Sequence, residues 1–487
     1  MTTSTPAQPI APDADAVRAT RAQLLSTLTD AIGEAWTSFD RPRPAEPEVD
    51  AALLERLRAT LPEQAGDRAQ ALADAVHILE ASVSPSRPLY LAYVGSSGVE
   101  VGVVAAALAA TYDANLATAA GAADLLDRQA VEWIADFVGF PLGEGHFTSG
   151  GQTSNLTAIL VAREQALPGT REHGLAGREA AVYCSAEAHH SVVRAVEAAG
   201  LGRRSVRRIA IDEQRRMRPD ALDDALAQDL AAGVVPVAVV ATAGTTLTGA
   251  VDPLDAIADV CARHGVWLHV DGAYGLPAAA TALAAPHFRG LERADSVTID
   301  AHKWLGMPKS CSVVLMRTRG ALRRAFAHEE TYMLHEGDAG NPVDSTLEYS
   351  RPFRSLKLWL TMRVHGAAEY REALTRTLEH AARFTDAVRA HPELELLHEP
   401  MLSTVCFRHV PADGAAWDDA ALDAHNQRLA RAVQRDGRVF LAPAQIDGAT
   451  CLRVCFVNFR TTAEDVATAL DVVTTLGAAL ASERAGA

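Results

Sequence analysis

From about residue 122 to residue 316, short apolar runs alternate with stretches whose apolar positions recur every three or four residues. The pattern predicts helices over 122–138, 154–165, 191–199, 219–230 and 254–263. Between and after them it predicts strands near His146 and Phe147 and over 181–184, 206–211, 236–241, 266–270, 296–299 and 311–316. The strand segments are near-continuous Val, Ile and Ala, without a polar face. Strands of that kind belong to a mainly parallel sheet covered by helices on both sides. The expectation is an α/β fold, in which ligands bind beyond the carboxyl ends of the strands.

The flanks read differently. Residues 1–12 have the composition of a disordered leader. An amphipathic helical arm follows over 15–39, with Leu24, Leu25, Leu28, Ile32 and Trp36 on its apolar side, and a helical stretch covers 50–82. Pro85 and Pro88 introduce an irregular apolar segment, 89–98, that carries Tyr90, Tyr93 and Val94. After Gly366 a long helix ends near residue 390. Strands are expected over 403–409, 438–443 and 452–457, and helices over 419–435 and 464–480. These divide the chain into an N-terminal helical segment (1–98), a large α/β domain (99–366) and a small C-terminal α+β domain (367–487).

Composition narrows the function classes. The 487 residues are 48% hydrophobic and 22% charged, an ordinary globular balance that can bury a large core. A net charge of −16 argues against a nucleic-acid or anionic-membrane binder. The arginine clusters at 203–208 and 215–218 flank a strand and read as a solvated face. The polar, proline-bearing leader has no secretory pattern, and the small-residue run around 101–110 is too short to span a bilayer. Six cysteines form no C-x-x-C pair, which points to reduced thiols in a cytoplasm, and no metal-ligand cluster is evident.

Candidate chemistry collects at the strand ends. Lys303 follows strand 296–299 in Asp300-Ala301-His302-Lys303-Trp304, and Asp271 closes strand 266–270. An amine and a carboxylate so placed suit pyridoxal phosphate (PLP): the lysine forms a Schiff base and the acid holds the pyridine nitrogen. Alone, Lys303 would read as a snorkelling side chain and Asp271 as a structural ion-pair partner. The turn Thr148-Ser149-Gly150-Gly151-Gln152 joins a strand to a helix, so free N–H groups can receive a phosphate. It matches neither a nucleotide P-loop nor G-x-G-x-x-G. His189 opens a helix after strand 181–184, where its flat ring can stack on a cofactor. Thr246 follows strand 236–241, where its hydroxyl can reach a ring oxygen.

Taken together, these segments resemble the group II PLP-dependent amino-acid decarboxylases, which include the aromatic-amino-acid, histidine and glutamate enzymes. HKW at 302–304, HVDGAYG at 269–275, ATAGTT at 241–246, TSGGQTSN at 148–155 and the block from Arg351 to Trp359 carry the resemblance over roughly residues 50–480. It implies a PLP-dependent transferase of fold type I, a homodimer with active sites shared across the interface and an N-terminal segment swapped onto the partner. By the resemblance, Lys303 is the Schiff-base lysine and Asp271 the pyridine partner. His189 stacks on the ring and Ala273 packs its other face. Thr246 lies near the ring hydroxyl, and Gly150, Gly151, Gln152 and His302 hold the phosphate. Tyr332, in a loop running to about Ser350, would donate a proton to the substrate carbon after CO2 leaves.

The chain departs from that family's pattern at three places. Asp300 stands where the animal aromatic decarboxylases usually carry Asn. The Tyr332 loop is shorter than theirs, and the segment around Tyr93 and Val94 has fewer aromatics. The expected activity is decarboxylation of an L-amino acid to its amine. The apolar, tyrosine-bearing 89–98 segment leans the substrate toward aromatic or bulky apolar side chains, with Arg453 as a carboxylate anchor. An aldehyde synthase, a carbon–carbon lyase and a PLP-binding regulatory paralogue remain as rivals.

Overall fold

The structure, a computed structural model, describes residues 14–43, 45–117, 120–328, 342–412 and 417–485. Four helices come first: α1 Ala14–Phe39, α2 Ala51–Leu57, α3 Arg68–Glu80 and α4 Glu100–Tyr112. The helical stretch expected over 50–82 is thus two helices. Pro62 and Gly66 fall in the gap between them, and Asp50 and Asp67 each cap a new N-terminus by accepting from the N–H three residues on. Helix α4, built largely of Ala, Val and Gly, was not foreseen as a helix. It packs on the long helix described below and reaches Pro308, where a Cβ on Gly102 would lie 2.7 Å from Pro308 Cδ.

The expected alternation follows. Its elements are α5 Ala122–Val138, β1 Glu144–Thr148, α6 Gly151–Ala166, the short α7 Thr170–His173, β2 Ala180–Ser185, α8 His190–Ala198, β3 Val206–Ile209 and α9 Pro219–Ala231. Next come β4 Val235–Thr242, α10 Leu254–His264, β5 Trp267–Asp271, β6 Ser296–Ile299, β7 Ser312–Met316 and α11 Ala321–Phe326. Among the described residues these seven strands form one sheet, in the order β1-β7-β6-β5-β4-β2-β3. The run from β6 to β3 is parallel, and β7 is antiparallel to both β6 and β1. Successive side chains point to opposite faces. Val239 and Ala241 therefore enter one core with α5 and α10, while Ala238 and Val240 enter another with α6 and α8. Every strand residue from Ala180 to Ser185 and from Ser296 to Ile299 is buried. This is the fold type I arrangement.

Helix α12, Ser355–Ala390, leads out of this body and breaks its helical geometry at Gly366, which has φ +74°. Beyond it lie β8 Leu394–Leu396, β9 Thr404–His409, α13 Asp419–Asp436, β10 Ala442–Ile446, β11 Ala449–Cys455 and α14 Ala463–Ala485. The strands make an antiparallel sheet, β10-β11-β9-β8. The strand expected over 438–443 lies further on, at Ala442–Ile446, because Asp447 and Gly448 take positive φ and close a β10–β11 hairpin. Leu89 and Leu91 join this second core beside Phe384, Phe407 and Val472. The backbone N–H of Leu91 donates to Phe440 O at 2.7 Å, and its carbonyl accepts from Cys455 at 2.9 Å. Among the described residues one helix, α14, is long and apolar enough to cross a membrane. It packs on α12 and α13 and contributes Val466, Ala469, Val472 and Val473 to the second core.

That second unit holds a buried imidazole pair. His409 Nδ1 and His425 Nε2 are 3.0 Å apart, and Asn426 occupies the backbone N–H and carbonyl of His409. Burial, and then His409, lower the His425 pKa to about 4. Between the ordinary value of about 6.5 and that value, the unfolded chain binds a proton that the folded chain refuses. Stability therefore falls as the medium is acidified through this window. The expected urea midpoint drops between pH 7 and pH 5, and His425→Asn flattens the drop by on the order of 1–2 kcal/mol. An equal slope in both proteins would contradict this.

Candidate active site

The carboxyl ends of β2, β4, β5 and β6 and the β1–α6 turn open onto one cavity. Gly151, Gln152, His189, Thr246, Asp271, Ala273 and Lys303 all line it. Each arrives by the same device: a buried strand ends, and the next few residues turn across the sheet edge. At the β4 end the turn needs glycine. Gly244 has φ +103°, and a Cβ there would sit 2.9 Å from Gly275 Cα. Below this turn, buried Asp252 accepts from the backbone N–H of Thr242 at 2.7 Å and of Met217 at 2.6 Å. Burial raises its pKa to about 6.

Asp271 is buried and held on both oxygens. Asn155 Nδ2 donates to Oδ2 at 2.8 Å, and the Ala273 N–H donates to Oδ1 at 3.1 Å. Behind it the network continues inward. Asn155 Oδ1 faces His269 Nε2 at 3.1 Å, and His269 Nδ1 meets Ser296 Oγ at 2.8 Å. Trp267 Nε1 donates to the same Ser296 oxygen at 2.9 Å. Burial lowers the His269 pKa to about 4, so its ring stays neutral. Asn155 also donates to Ser191 Oγ at 3.0 Å, and that hydroxyl meets His189 Nδ1 at 2.9 Å. One amide thus orients the acid and, through a hydroxyl, the imidazole beside it. Burial also lowers the His189 pKa.

The chain has only three lysines, Lys303, Lys309 and Lys357, and all lie in or near this region. Lys357 is buried and committed: Nζ donates to Pro308 O at 3.0 Å and Ser310 O at 2.8 Å, and burial lowers its pKa. It pins the loop after Lys303. His302 is fixed to the far end of that loop, with Nδ1 2.8 Å from Cys311 O. Lys303 alone of the three reaches the cavity, and its Nζ lies 3.0 Å from Asp300 Oδ2.

Of the other candidates, Gly150 sits at the rim, where a Cβ would come 3.9 Å from His302 Cε1. Tyr93, Val94 and Arg453 do not line this cavity. Tyr93 is 61% exposed on the single chain, and Val94 packs on the large core. Arg453 is buried, with Nη1 donating to Ala92 O at 2.6 Å and Nε to Leu247 O at 3.2 Å. Its Nη2 has no partner among the described residues. Tyr332 lies outside the described residues. Asn155, Ser191 and His269 are positioning residues that the sequence reading passed over. The available signal was polarity inside buried elements, since His269 and Asp271 sit two apart on one strand and share a face.

The residues present fit pyridoxal phosphate. Two buried oxygens of residues that line the cavity, Thr242 Oγ1 and Asp300 Oδ1, have no hydrogen-bond partner among the described residues, which suits a polar occupant. The β1–α6 turn closes on the same place: a Cβ on Gly151 would meet Ala273 Cβ at 3.2 Å and Asp300 Oδ2 at 2.9 Å. Comparison with known proteins agrees. Residues 51–410 match the family described as pyridoxal-dependent decarboxylase conserved domain. The chain belongs to that family.

This decarboxylase is 33% identical to the aromatic-L-amino-acid decarboxylase of Bacillus atrophaeus over 87% of this chain and 88% of the relative. It is 35% identical to the L-2,4-diaminobutyrate decarboxylase of Rhizobium meliloti over 72% and 70% of the two chains. Among solved structures, mouse CSAD superimposes with a TM-score of 0.89 at 27% identity, covering 96% of this chain and 99% of the other. The Oryza sativa TDC solved with PLP and tryptamine gives 0.88 at 27% identity, with the same coverage. The chain is therefore a PLP-dependent amino-acid decarboxylase. Its relatives' names span aromatic, diamino and sulfinic acid substrates.

The buried network predicts that Asn155 supports cofactor retention by holding Asp271. Asn155→Leu keeps the branched shape but removes the donor to Asp271. A hydrogen bond to a buried charge is worth about 1.5–3 kcal/mol. The variant should bind PLP roughly tenfold or more weakly, read by fluorescence titration of the cofactor-free protein. Unchanged PLP affinity would show that Asp271 needs no support from Asn155.

Proposed function

We propose that this enzyme decarboxylates an L-amino acid at the Lys303 site, favouring aromatic or bulky apolar side chains, and works as a cytoplasmic homodimer. The observation that carries the site reading is the lysine distribution: of three lysines in the chain, Lys303 alone reaches the cavity that Asp271 and His189 share. When bound, PLP supplies an electron sink for the pair left behind as CO2 departs. Lys303 is the residue that bonds the cofactor. Asp271, fixed by Asn155, holds the pyridine N–H, and His189, kept neutral by burial, offers a flat ring to stack on it. Ala273 packs the opposite face, and Thr246 provides a hydroxyl for the ring oxygen. Gly150, Gly151, Gln152 and His302 hold the phosphate.

Arg453 is the anchor for the substrate carboxylate, which its unpartnered Nη2 supports. Tyr332 returns a proton to the substrate carbon, the step that separates simple decarboxylation from aldehyde formation. The aromatic preference rests on segment 89–98, which includes Tyr90, Tyr93 and Val94 and carries no basic residue to meet an acidic side chain. A homodimer is supported by apolar side chains exposed on the N-terminal helices, among them Leu25, Leu57, Leu79, Leu108 and Tyr112. Tyr93, exposed on the single chain, then faces the shared interface. The six unpaired, buried cysteines support a reducing compartment.

One experiment tests both chemistry and substrate. The purified protein with added PLP is assayed for amine and CO2 over a panel of aromatic, acidic, diamino and aliphatic L-amino acids. The expected result is amine and CO2 in equal amounts, fastest with an aromatic substrate. Lys303→Ala should lose the visible band of bound cofactor together with activity. Aldehyde and peroxide in place of amine would contradict simple decarboxylation. A preference for diaminobutyrate or an acidic substrate would overturn the aromatic reading.

A further inference from the structure

Asp300 is 3% exposed, and its two oxygens have unequal surroundings. Oδ2 lies 3.0 Å from Lys303 Nζ and 3.8 Å from His302 Nε2, while Oδ1 has no hydrogen-bond partner among the described residues. A buried carboxylate served by one cation is costly once that cation leaves. Here the cation is the side chain that bonds the cofactor. The same carboxylate also abuts the phosphate-holding turn: a Cβ on Gly151 would lie 2.9 Å from Oδ2 and 3.2 Å from Oδ1. An anion cradled by Gly150, Gly151, Gln152 and His302 must therefore settle beside a second anion.

His302 sharpens the conflict. Its Nδ1 lies 2.8 Å from Cys311 O and, on the same nitrogen, 3.3 Å from the Cys311 backbone N, which leaves Nε2 as the ring atom turned toward Asp300, 3.8 Å from Oδ2. In the tautomer that gives the Nδ1 proton to Cys311 O, the shorter contact, Nε2 and Asp300 are two acceptors facing each other with no proton between them. Other ionisable groups surround the pair. Lys309 lies on the same loop, with Cys311 at the start of β7. Asp271 and His189 approach from the neighbouring strand ends. Arg354 and Lys357 of α12 and Asp127 of α5 lie on the Cys311 side. Arg354 is paired with Glu348, and Lys357 with two carbonyls, so neither is free to neutralise Asp300.

We propose that Asp300 is the counter-ion of Lys303 in the cofactor-free enzyme, and that cofactor binding is proton-coupled because the phosphate can settle there only when the Asp300–His302 pair takes up a proton. A protonated Asp300 presents an O–H to the phosphate, much as an asparagine at this position would present N–H. The proton comes from solvent and no bond other than its own O–H or N–H forms. This rests on the reading of the site given above, with Lys303 and the β1–α6 turn as the cofactor's holders.

The test uses the full chain freed of cofactor and the probe pyridoxine 5′-phosphate, which lacks the aldehyde and leaves Lys303 charged beside Asp300, so that it isolates the conflict between the phosphate and the Asp300–His302 pair. Calorimetry in two buffers of different ionisation enthalpy counts protons taken up, near pH 6.5 and near pH 8.5, for the wild type and for Asp300→Asn. Asp300→Ser repeats the comparison if the Asn variant does not fold. The wild type should take up about one proton more than the variant. The variant should bind roughly tenfold tighter near pH 8.5, with the gap closing near pH 6.5. Equal affinities and equal proton counts overturn the proposal alone. No binding of the probe to the wild type overturns the reading of the site and the proposal together.

Discussion

The site depends on one buried carboxylate that has to be held without a cation pressed against it. Asp271 ends β5 inside the sheet, and its oxygens are met by an amide and a backbone N–H. That leaves the acid oriented and still available to a ring nitrogen. The amide in turn is fixed by His269, Ser296 and Trp267, all drawn from β5 and β6. The parallel core is thus the support of the site as well as its scaffold: strands buried on both faces leave these polar groups no partners but one another. The neutral imidazole of His269 fits this, because a second cation there would compete with the pyridine nitrogen.

The second constraint is charge balance around a single amine. Two acids, Asp271 and Asp300, point into one cavity with Lys303, and the amine sides with Asp300. The chain's other lysines do not compete for that role. Lys357 is locked onto the carbonyls of the 308–310 loop, and Lys309 does not line the cavity. The three side chains form a small electrostatic unit in which Asp300 holds the one amine of the cavity.

Much of this was legible in the sequence because the large unit obeys its local rules. Helix 122–138 and strand 296–299 match the observed elements at both ends, since periodicity, strand composition and turn residues agree there. The misses have physical causes. The 438–443 strand was misplaced because Phe440 and Leu441 are apolar for another reason: they pack on Tyr90 and in the second core, while Asp447-Gly448 sets the true hairpin. The break between α2 and α3 was carried by Pro62, Gly66 and Asp67, weak signals inside a helical composition. Asn155 and His269 were quoted within motifs and given no role, because their work is done by contacts across more than a hundred residues of chain. Tyr93 and Arg453 do not line the cavity of a single chain, and their expected place beside the substrate is carried by the proposed dimer.

The central claim is that Lys303 carries the cofactor, and borohydride reduction of the PLP-loaded enzyme tests it most directly. Reduction fixes the cofactor to whichever amine holds it, and peptide mass spectrometry reads the position. With three lysines in the chain, the answer is unambiguous. The account predicts one pyridoxyl group, on the peptide containing Lys303. Labelling of Lys309 or Lys357 in its place, or no label on an enzyme that retains its visible band, would contradict it.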